Sequence, residues 1–404
     1  MRKTAIALGF LAVALATLSA QQLLPGSDGK VRPLFSDVAI LEEAEGRKDL
    51  PCTVTSVKPE LGFDFKFHSG YSVTVPLKEL ADQAGSLTMV FRVVPAGRAD
   101  APVYLSQHVP VPEIDADAKG DADLSGTFAV GEGKYHVSWL MRDRSERVCS
   151  SSWDIEATLP LRDKPMPLDI APLGVQAVET RPFREEAAVR RADREGGLRL
   201  KAIVNFAPQQ PSAAVLAPDD LNALLSILRS MAKDPRVTKF SLVVFNMQEQ
   251  RVIYRQENAS QIDFPALGKA VKTLNLGRVD AKLLAQKHGD VDFLASLLKK
   301  EIGGNQDPPD AVIIAGPKAG VDDSLAPDAL KELGEVKFPV FYLDCNLDPT
   351  VNPWRDAIGG TVRAIKGTEY NISHPRDVFL AWSEIAARIV KSKFGRGLVG
   401  SPTQ

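Results

Sequence analysis

The chain has 404 residues, with 49 Lys and Arg against 51 Asp and Glu, a formal net charge of −2, 44% hydrophobic and 25% charged residues. At roughly 150 residues per domain this length predicts two or three domains, and the composition excludes wholesale disorder or a collagen-like repeat. Balanced charge argues against bulk attraction to nucleic acid or anionic lipid. Three cysteines exclude a disulfide-dense scaffold and a four-thiolate zinc site, and leave room for one disulfide.

The first residues read as an export signal. Met1, Arg2 and Lys3 make a basic start, residues 4–18 (TAIALGFLAVALATL) are almost wholly apolar, and Ser19 and Ala20 are small. This three-part pattern predicts a signal peptide over 1–20, cleaved after Ala20, and a bacterial protein of the periplasm or the medium. The apolar run, about 15 residues, is shorter than the ~20 that span a bilayer, and no later stretch reaches that length. The expected mature protein therefore has no integral span. Residues 21–49 follow as an N-terminal extension.

Residues 50–158 alternate apolar and polar side chains in short runs. Phe63, Phe65 and Phe67 lead into Tyr71, Val73 and Val75; Leu87, Met89, Phe91 and Val93 follow, and later Tyr135, Val137 and Trp139. Residues two apart share one face of a strand, so this is half-buried β structure. Turn residues at near-regular intervals, as in His68-Ser69-Gly70 and Gly131-Glu132-Gly133, predict seven or eight strands in an Ig-like antiparallel β-sandwich. Cys52 and Cys149 lie near its two ends. An oxidising compartment permits them to bond, although two separately buried thiols fit the sequence equally. Cys345 is left over.

Between the two halves, 159–197 reads as a Pro-rich, charged linker with one exposed helix. Arg190, Arg191 and Arg194 stand among Glu185, Glu186, Asp193 and Glu195. That interleaving predicts a solvated face rather than a nucleic-acid site.

Residues 198–394 change period. The apolar runs 198–206, 240–245, 311–315 and 338–343 read as strands, with 252–254 and 361–365 (TVRAI) as two more. Helices are predicted from Asp219 and Asp220 up to Pro235, over 264–274, 290–302 and 326–333, and over 377–394. Strands that are apolar throughout and alternate with helices predict a mostly parallel, doubly wound sheet covered on both faces. The whole is thus an α+β multidomain chain, with a short tail at 395–404.

This order of elements resembles a von Willebrand factor A-type (vWA) domain over 198–394, within the wider group of exported bacterial proteins that join a β domain to such a module. Members that bind through a divalent ion carry Asp-x-Ser-x-Ser after the first strand, with a Thr and a further Asp on later loops. Hard oxygen donors thereby converge at the carboxyl edge of the sheet. Here the matching stretch is Asn205-Phe206-Ala207-Pro208-Gln209, the loop near Asp280 lacks Thr, and the fourth-strand end reads Ala315-Gly316-Pro317. The resemblance therefore implies a degenerate module with no metal motif and no required cofactor. Asn205, Gln209, Asp280, Asp344 and Asn346 are its candidate ligand-binding residues, and a protein is the expected partner. Mg2+- or Ca2+-dependent adhesion through the same residues is the nearest alternative, and a structural envelope component is another.

Other motifs fall short. Asp115, Asp117, Asp121 and Asp123 suggest a calcium loop, but an EF-hand needs an oxygen donor and a Glu where Lys119 and Gly126 stand. The stretch reads instead as an acidic hairpin loop. Cys345, with His374 downstream as base, is the one candidate nucleophile for a hydrolase, yet no nucleophile elbow or oxyanion glycine pair accompanies it. Gly316-Pro317-Lys318-Ala319-Gly320 fits no phosphate-binding fingerprint. The five histidines include no closely spaced pair.

Overall fold

The computed structural model describes residues 22–24, 34–43, 45–81, 85–115, 117–191, 196–210, 213–277, 289–303, 307–318, 336–350, 353 and 356–395. The expected signal peptide, Asp280, His288, Arg194, the 326–333 helix and most of the C-terminal tail lie outside the described residues. The chain divides into two compact units. The first comprises Met1–Glu60, Lys66–Leu159 and Ile170–Thr180, and the second Leu61–Phe65, Pro160–Asp169 and Arg181–Gln404.

Among the described residues, the first unit holds nine strands: β1 Gln22–Leu24, β2 Thr53–Leu61, β3 Phe67–Pro76, β4 Gly85–Pro95, β5 Val103–Val111, β6 Asp121–Val130, β7 Gly133–Arg142, β8 Val148–Ala157 and β9 Val175–Ala177. They make a five-stranded sheet, β1-β5-β4-β7-β8, and a four-stranded sheet, β2-β3-β6-β9. The pairings are antiparallel, for example β3 with β6 and β7 with β8. Aromatic side chains from both sheets fill the core. Tyr71 of β3 stands 5.3 Å from Phe91 of β4 and 4.8 Å from Trp139 of β7, and Phe91 meets Phe128 of β6 edge-on at 5.6 Å. All four are fully buried. Tilted and edge-on ring pairs of this kind add directional packing to the area they bury.

Three features of this unit differ from the sequence reading. It begins before residue 50: β1 pairs with β5, and helix α1 (Phe35–Glu42) buries Leu41 against Val90, Leu140 and Val148. The acidic stretch around Asp117 joins β5 to β6, which lie in different sheets, so it is a crossover and not a hairpin loop. The segment assigned to a linker returns through β9, where Tyr135 donates its hydroxyl to the carbonyls of Gly131 (2.9 Å) and Gly174 (3.2 Å). Cys52 and Cys149 form a disulfide with Cα atoms 6.3 Å apart, closing 97 residues of sequence.

The second unit is built on a mixed six-stranded sheet. Its strands are β10 Leu198–Asn205, β11 Val237–Asn246, β12 Arg251–Ala259, β13 Ala311–Gly316, β14 Val340–Cys345 and β15 Thr368–Ile372. Their spatial order is β12-β11-β10-β13-β14-β15; β12 runs antiparallel to β11 and every other pairing is parallel. Helices α2 (Pro218–Lys233), α3 (Phe264–Val271), α4 (Gly289–Ile302), α5 (Ala357–Ala364) and α6 (Pro375–Phe394) cover both faces. Leu200, Ala202 and Val204 of β10 pack with α2, α3 and α6, whereas Ile203 packs with α4 and α5. Period-two alternation thus sends side chains of the central strands β10, β11, β13 and β14 into two separate cores, which is why their stretches 202–204, 242–245, 311–315 and 340–343 are apolar on both faces.

Residues 361–365, expected as a strand, belong to α5. Asp356 caps that helix by accepting from the Gly359 amide at 2.8 Å, and Ile358 and Val362, four residues apart, enter one core. The missing strand is β15, whose mixed polar sequence TEYNI suits a sheet edge. In α2 the N-cap is Ala217, and Asp220 accepts from its amide at 3.3 Å. Residues 183–191 form no helix. They are pinned as a strap: Arg191 lies over the Phe240 ring at 5.2 Å and donates to the Asp234 carbonyl, and Arg229 donates to Glu186 and to the Pro182 carbonyl. The solvated face expected for Arg191 is therefore corrected. Its guanidinium is half-buried because carbonyl oxygens and an aromatic face replace its water.

Candidate functional site

In an open sheet of this kind, ligands enter at the carboxyl ends of the strands, beside the point where the strand order reverses. Here that point lies between β10 and β13, whose ends carry Asn205 and Gly316. The crevice is filled from within. Asn205 is fully buried; its Oδ1 accepts from the Met247 amide at 3.1 Å, and its Nδ2 faces the Pro317 carbonyl at 3.5 Å. Gly316 has φ +151°, and a Cβ there would lie 2.6 Å from the Asn205 Cβ and 2.9 Å from its carbonyl oxygen. Only glycine allows this approach.

The neighbouring strand ends are tied in the same manner. Asn246, also fully buried, donates to the Phe206 carbonyl at 2.6 Å and accepts from the Glu249 amide at 2.8 Å. Gln209 reaches across to β14, donating to the Cys345 carbonyl at 2.8 Å and accepting from the Leu347 amide at 3.4 Å. Asn346 closes the far side: its amide donates to the Ile372 carbonyl, and its own carbonyl accepts from the Ser373 hydroxyl at 2.8 Å. Asn205, Gln209, Asp344 and Asn346 thus gather at one edge, while Asp280 lies outside the described residues.

At this edge the Asn205 and Gln209 oxygens already accept backbone N–H groups among the described residues and are not open to a cation. Among the described residues, no group of three or more His, Cys, Asp or Glu side chains converges as metal ligands would.

Asp344 is a buried carboxylate at this edge. Its side chain is 5% exposed, its Oδ2 lies 3.7 Å from the Lys318 ammonium, and its Oδ1 has no hydrogen-bond partner among the described residues. Burial pushes its carboxyl up to about 7; Lys318 pulls the other way, and Asp356 and Glu369 push further up. Lys318 belongs to the Gly316–Gly320 stretch already weighed in the sequence, whereas Asn246 carries no signal there; it ends β11 as Asn205 ends β10, a parallel visible only once both strands are placed.

Cys345 points into the helical core and its thiol faces the Leu343 carbonyl at 3.8 Å. Burial raises it well above the ordinary thiol range, and the Asp344 carboxylate adds to this. His374, proposed as its base, caps α6 and turns its ring towards Asp377 at 3.6 Å, largely in solvent. These are the opposite conditions to those that make a thiolate. In the first unit, the acidic side chains Asp115, Asp117, Asp121 and Asp123 are exposed, and Asp123 accepts from the Thr74 hydroxyl at 2.7 Å. No described helix is long and apolar enough to cross a membrane.

No family model matches the chain, and no curated protein matches it. Among solved structures, it is similar to the PilB minor pilin from Streptococcus sanguinis at 9% identity, covering 78% of this chain and 89% of the pilin, with a TM-score of 0.26. It is also similar to a Bacteroides uniformis beta-glucuronidase at 12% identity (72% of this chain, 35% of that one, TM-score 0.19). A glycosyl hydrolase family 2 member from Bacteroides cellulosilyticus matches at 10% identity (83% and 40%, TM-score 0.18). The chain spans little more than a third of the length of either glycosidase. These scores lie below the level that defines a shared overall fold, and nothing further rests on them. Fold and edge together define an α+β protein of two units: a β-sandwich, and a mixed sheet covered by helices whose carboxyl edge is closed by its own amides.

Proposed function

We propose that this is an exported, non-catalytic protein-binding or scaffolding protein, in which an Ig-like sandwich carries a vWA-like module that engages a protein partner without a metal ion. The observation that carries this reading is the self-satisfied edge. Asn205, Asn246 and Gln209 spend their amides on backbone groups, so the loops that would otherwise hold an ion are locked in one arrangement. The strand order, with the third strand in sequence, β12, antiparallel at one edge and helices on both faces, supports the vWA-like description. A disulfide between Cys52 and Cys149 supports an oxidising compartment and hence export.

The contact surface assigned to this module is the exposed rim above the edge, including Gln210, Asp348 and Thr350. The test is capture from native envelope extract with the wild-type chain and with Gln210, Asp348 and Thr350 all changed to Ala. The reading expects a defined partner that the folded triple variant loses. Equal capture by both proteins would remove the rim from the account.

A further inference from the structure

We propose that the outer face of the five-stranded sheet in the first unit carries a recess for a small zwitterion, whose carboxylate Arg92 takes and whose ammonium Glu42 and Glu43 take.

The recess follows from the register. Arg92 of β4, Ser138 of β7 and Ser152 of β8 are cross-strand partners in one row. Period two sets them on the same face as Val90, Leu140 and Val148, the apolar patch on which α1 lays Leu41. The helix stops at Glu42. Beside its end a recess of about 470 Å3 remains, floored by the Arg92 row with His136 and flanked by Glu42 and Glu43.

The floor is polar, and the chain leaves it unsatisfied. The Arg92 side chain is 17% exposed, and its Nε is buried with no hydrogen-bond partner among the described residues. The Glu42 carboxylate lies 3.7 Å from its guanidinium, beyond hydrogen-bond length. Ser138 is buried, and neither its hydroxyl nor that of Ser152 bonds to a described residue. Ser150, on the same face of β8, shows the contrast: its hydroxyl accepts from the Arg47 amide at 2.8 Å. A mostly buried guanidinium without an acceptor is costly, and a carboxylate is the planar group its fork fits, with two serine hydroxyls at hand as further donors.

Charge decides the rest of the ligand. One guanidinium stands against two glutamates, and His136 is tied to Asp154 at 2.8 Å. A plain anion meets net repulsion here, whereas a molecule with an ammonium next to its carboxylate matches both signs. The volume suits an amino acid or a dipeptide.

The test uses alanyl-alanine as probe. The full chain, labelled with 15N, is titrated and followed at the backbone amides of Ser138 and Ser152. The expected result is a saturable shift with a dissociation constant below about 1 mM. Binding should weaken about tenfold or more when the dipeptide is amidated, when it is acetylated, and in Arg92→Lys, which keeps the charge and loses the fork. Ser152→Ala, at an exposed position of an edge strand, should weaken binding with its unfolding midpoint unchanged. No saturable shift up to about 10 mM would overturn the site. So would unchanged affinity in a folded Arg92→Lys, and equal binding of the acetylated dipeptide would overturn the zwitterion. The recess takes nothing from the binding reading above, so the two fail separately.

Discussion

Asn205 and Gly316 meet so closely at the ends of β10 and β13 that a single added carbon on Gly316 would lie 2.6 Å from the Asn205 Cβ. The contact seals the crevice where the strand order reverses. Gly316→Ala adds that carbon at a backbone angle that L side chains avoid, and the Asn205 carbonyl at 2.9 Å cannot swing aside as a side chain would. The variant is expected to lose about 1–3 kcal/mol in urea unfolding, and Asn205→Ala in the same chain should not restore it.

Asn205→Asp places an acidic residue at the end of β10. The change removes the donor facing the Pro317 carbonyl and places a carboxylate in a fully buried position. Stability at neutral pH should fall by roughly 1–3 kcal/mol, with no gain in thermal stability on adding millimolar Mg2+ or Ca2+. A rise in unfolding temperature with either ion would show that the edge can still host one.

The Asp344 carboxyl gives stability a definite pH dependence. Its folded midpoint, about 7, lies above the ordinary 3.8, so between these values the folded chain holds a proton that the unfolded chain has lost. Stability from this group is therefore full below pH ~4 and declines as pH rises to ~7, at up to about 1.4 kcal/mol per pH unit. Comparing urea midpoints across pH 4–8, the decline assigned to this group should vanish in Asp344→Asn.

Asp356 joins two elements, capping α5 through Gly359 and accepting from the Tyr342 hydroxyl at 3.3 Å. Asp356→Asn keeps a capping oxygen and removes the charge. It should cost less than about 1 kcal/mol through the cap, yet lower the Asp344 midpoint because a like charge is gone. An unmoved midpoint would show that Asp356 does not sense Asp344.

The Cys52–Cys149 bond closes 97 residues, for which the chain-entropy relation gives about 4–5 kcal/mol. In native-state hydrogen exchange, reduction should lower the protection of β7 and β8 in the first unit. Protection of β10 and β13 should stay unchanged.

Much of this architecture was legible because hydrophobic period is a local property. The runs at β10, β11, β13 and β14 are apolar on both faces, and the sandwich strands alternate. The sequence misled where local signals conflicted. In α5, Gly359 and Gly360 weaken the helical pattern while Thr361 and Val362 suggest a strand, and only the Asp356 cap and the packing of Ile358 with Val362 decide for helix. β15 is an edge strand with little apolar sequence to announce it. The place of the candidate edge followed from the order of elements, but its closure did not. Asn205 with Gly316, and Gln209 with Cys345, are contacts across more than a hundred residues, and no periodicity encodes them.

The proposed binding of a protein at the carboxyl edge without an ion is tested most directly by capture from native envelope extract with the full chain, run side by side in millimolar Mg2+ and in excess chelator. The account predicts the same partner in equal amount under both conditions. Loss of that partner in chelator, with recovery on returning the ion, would contradict it.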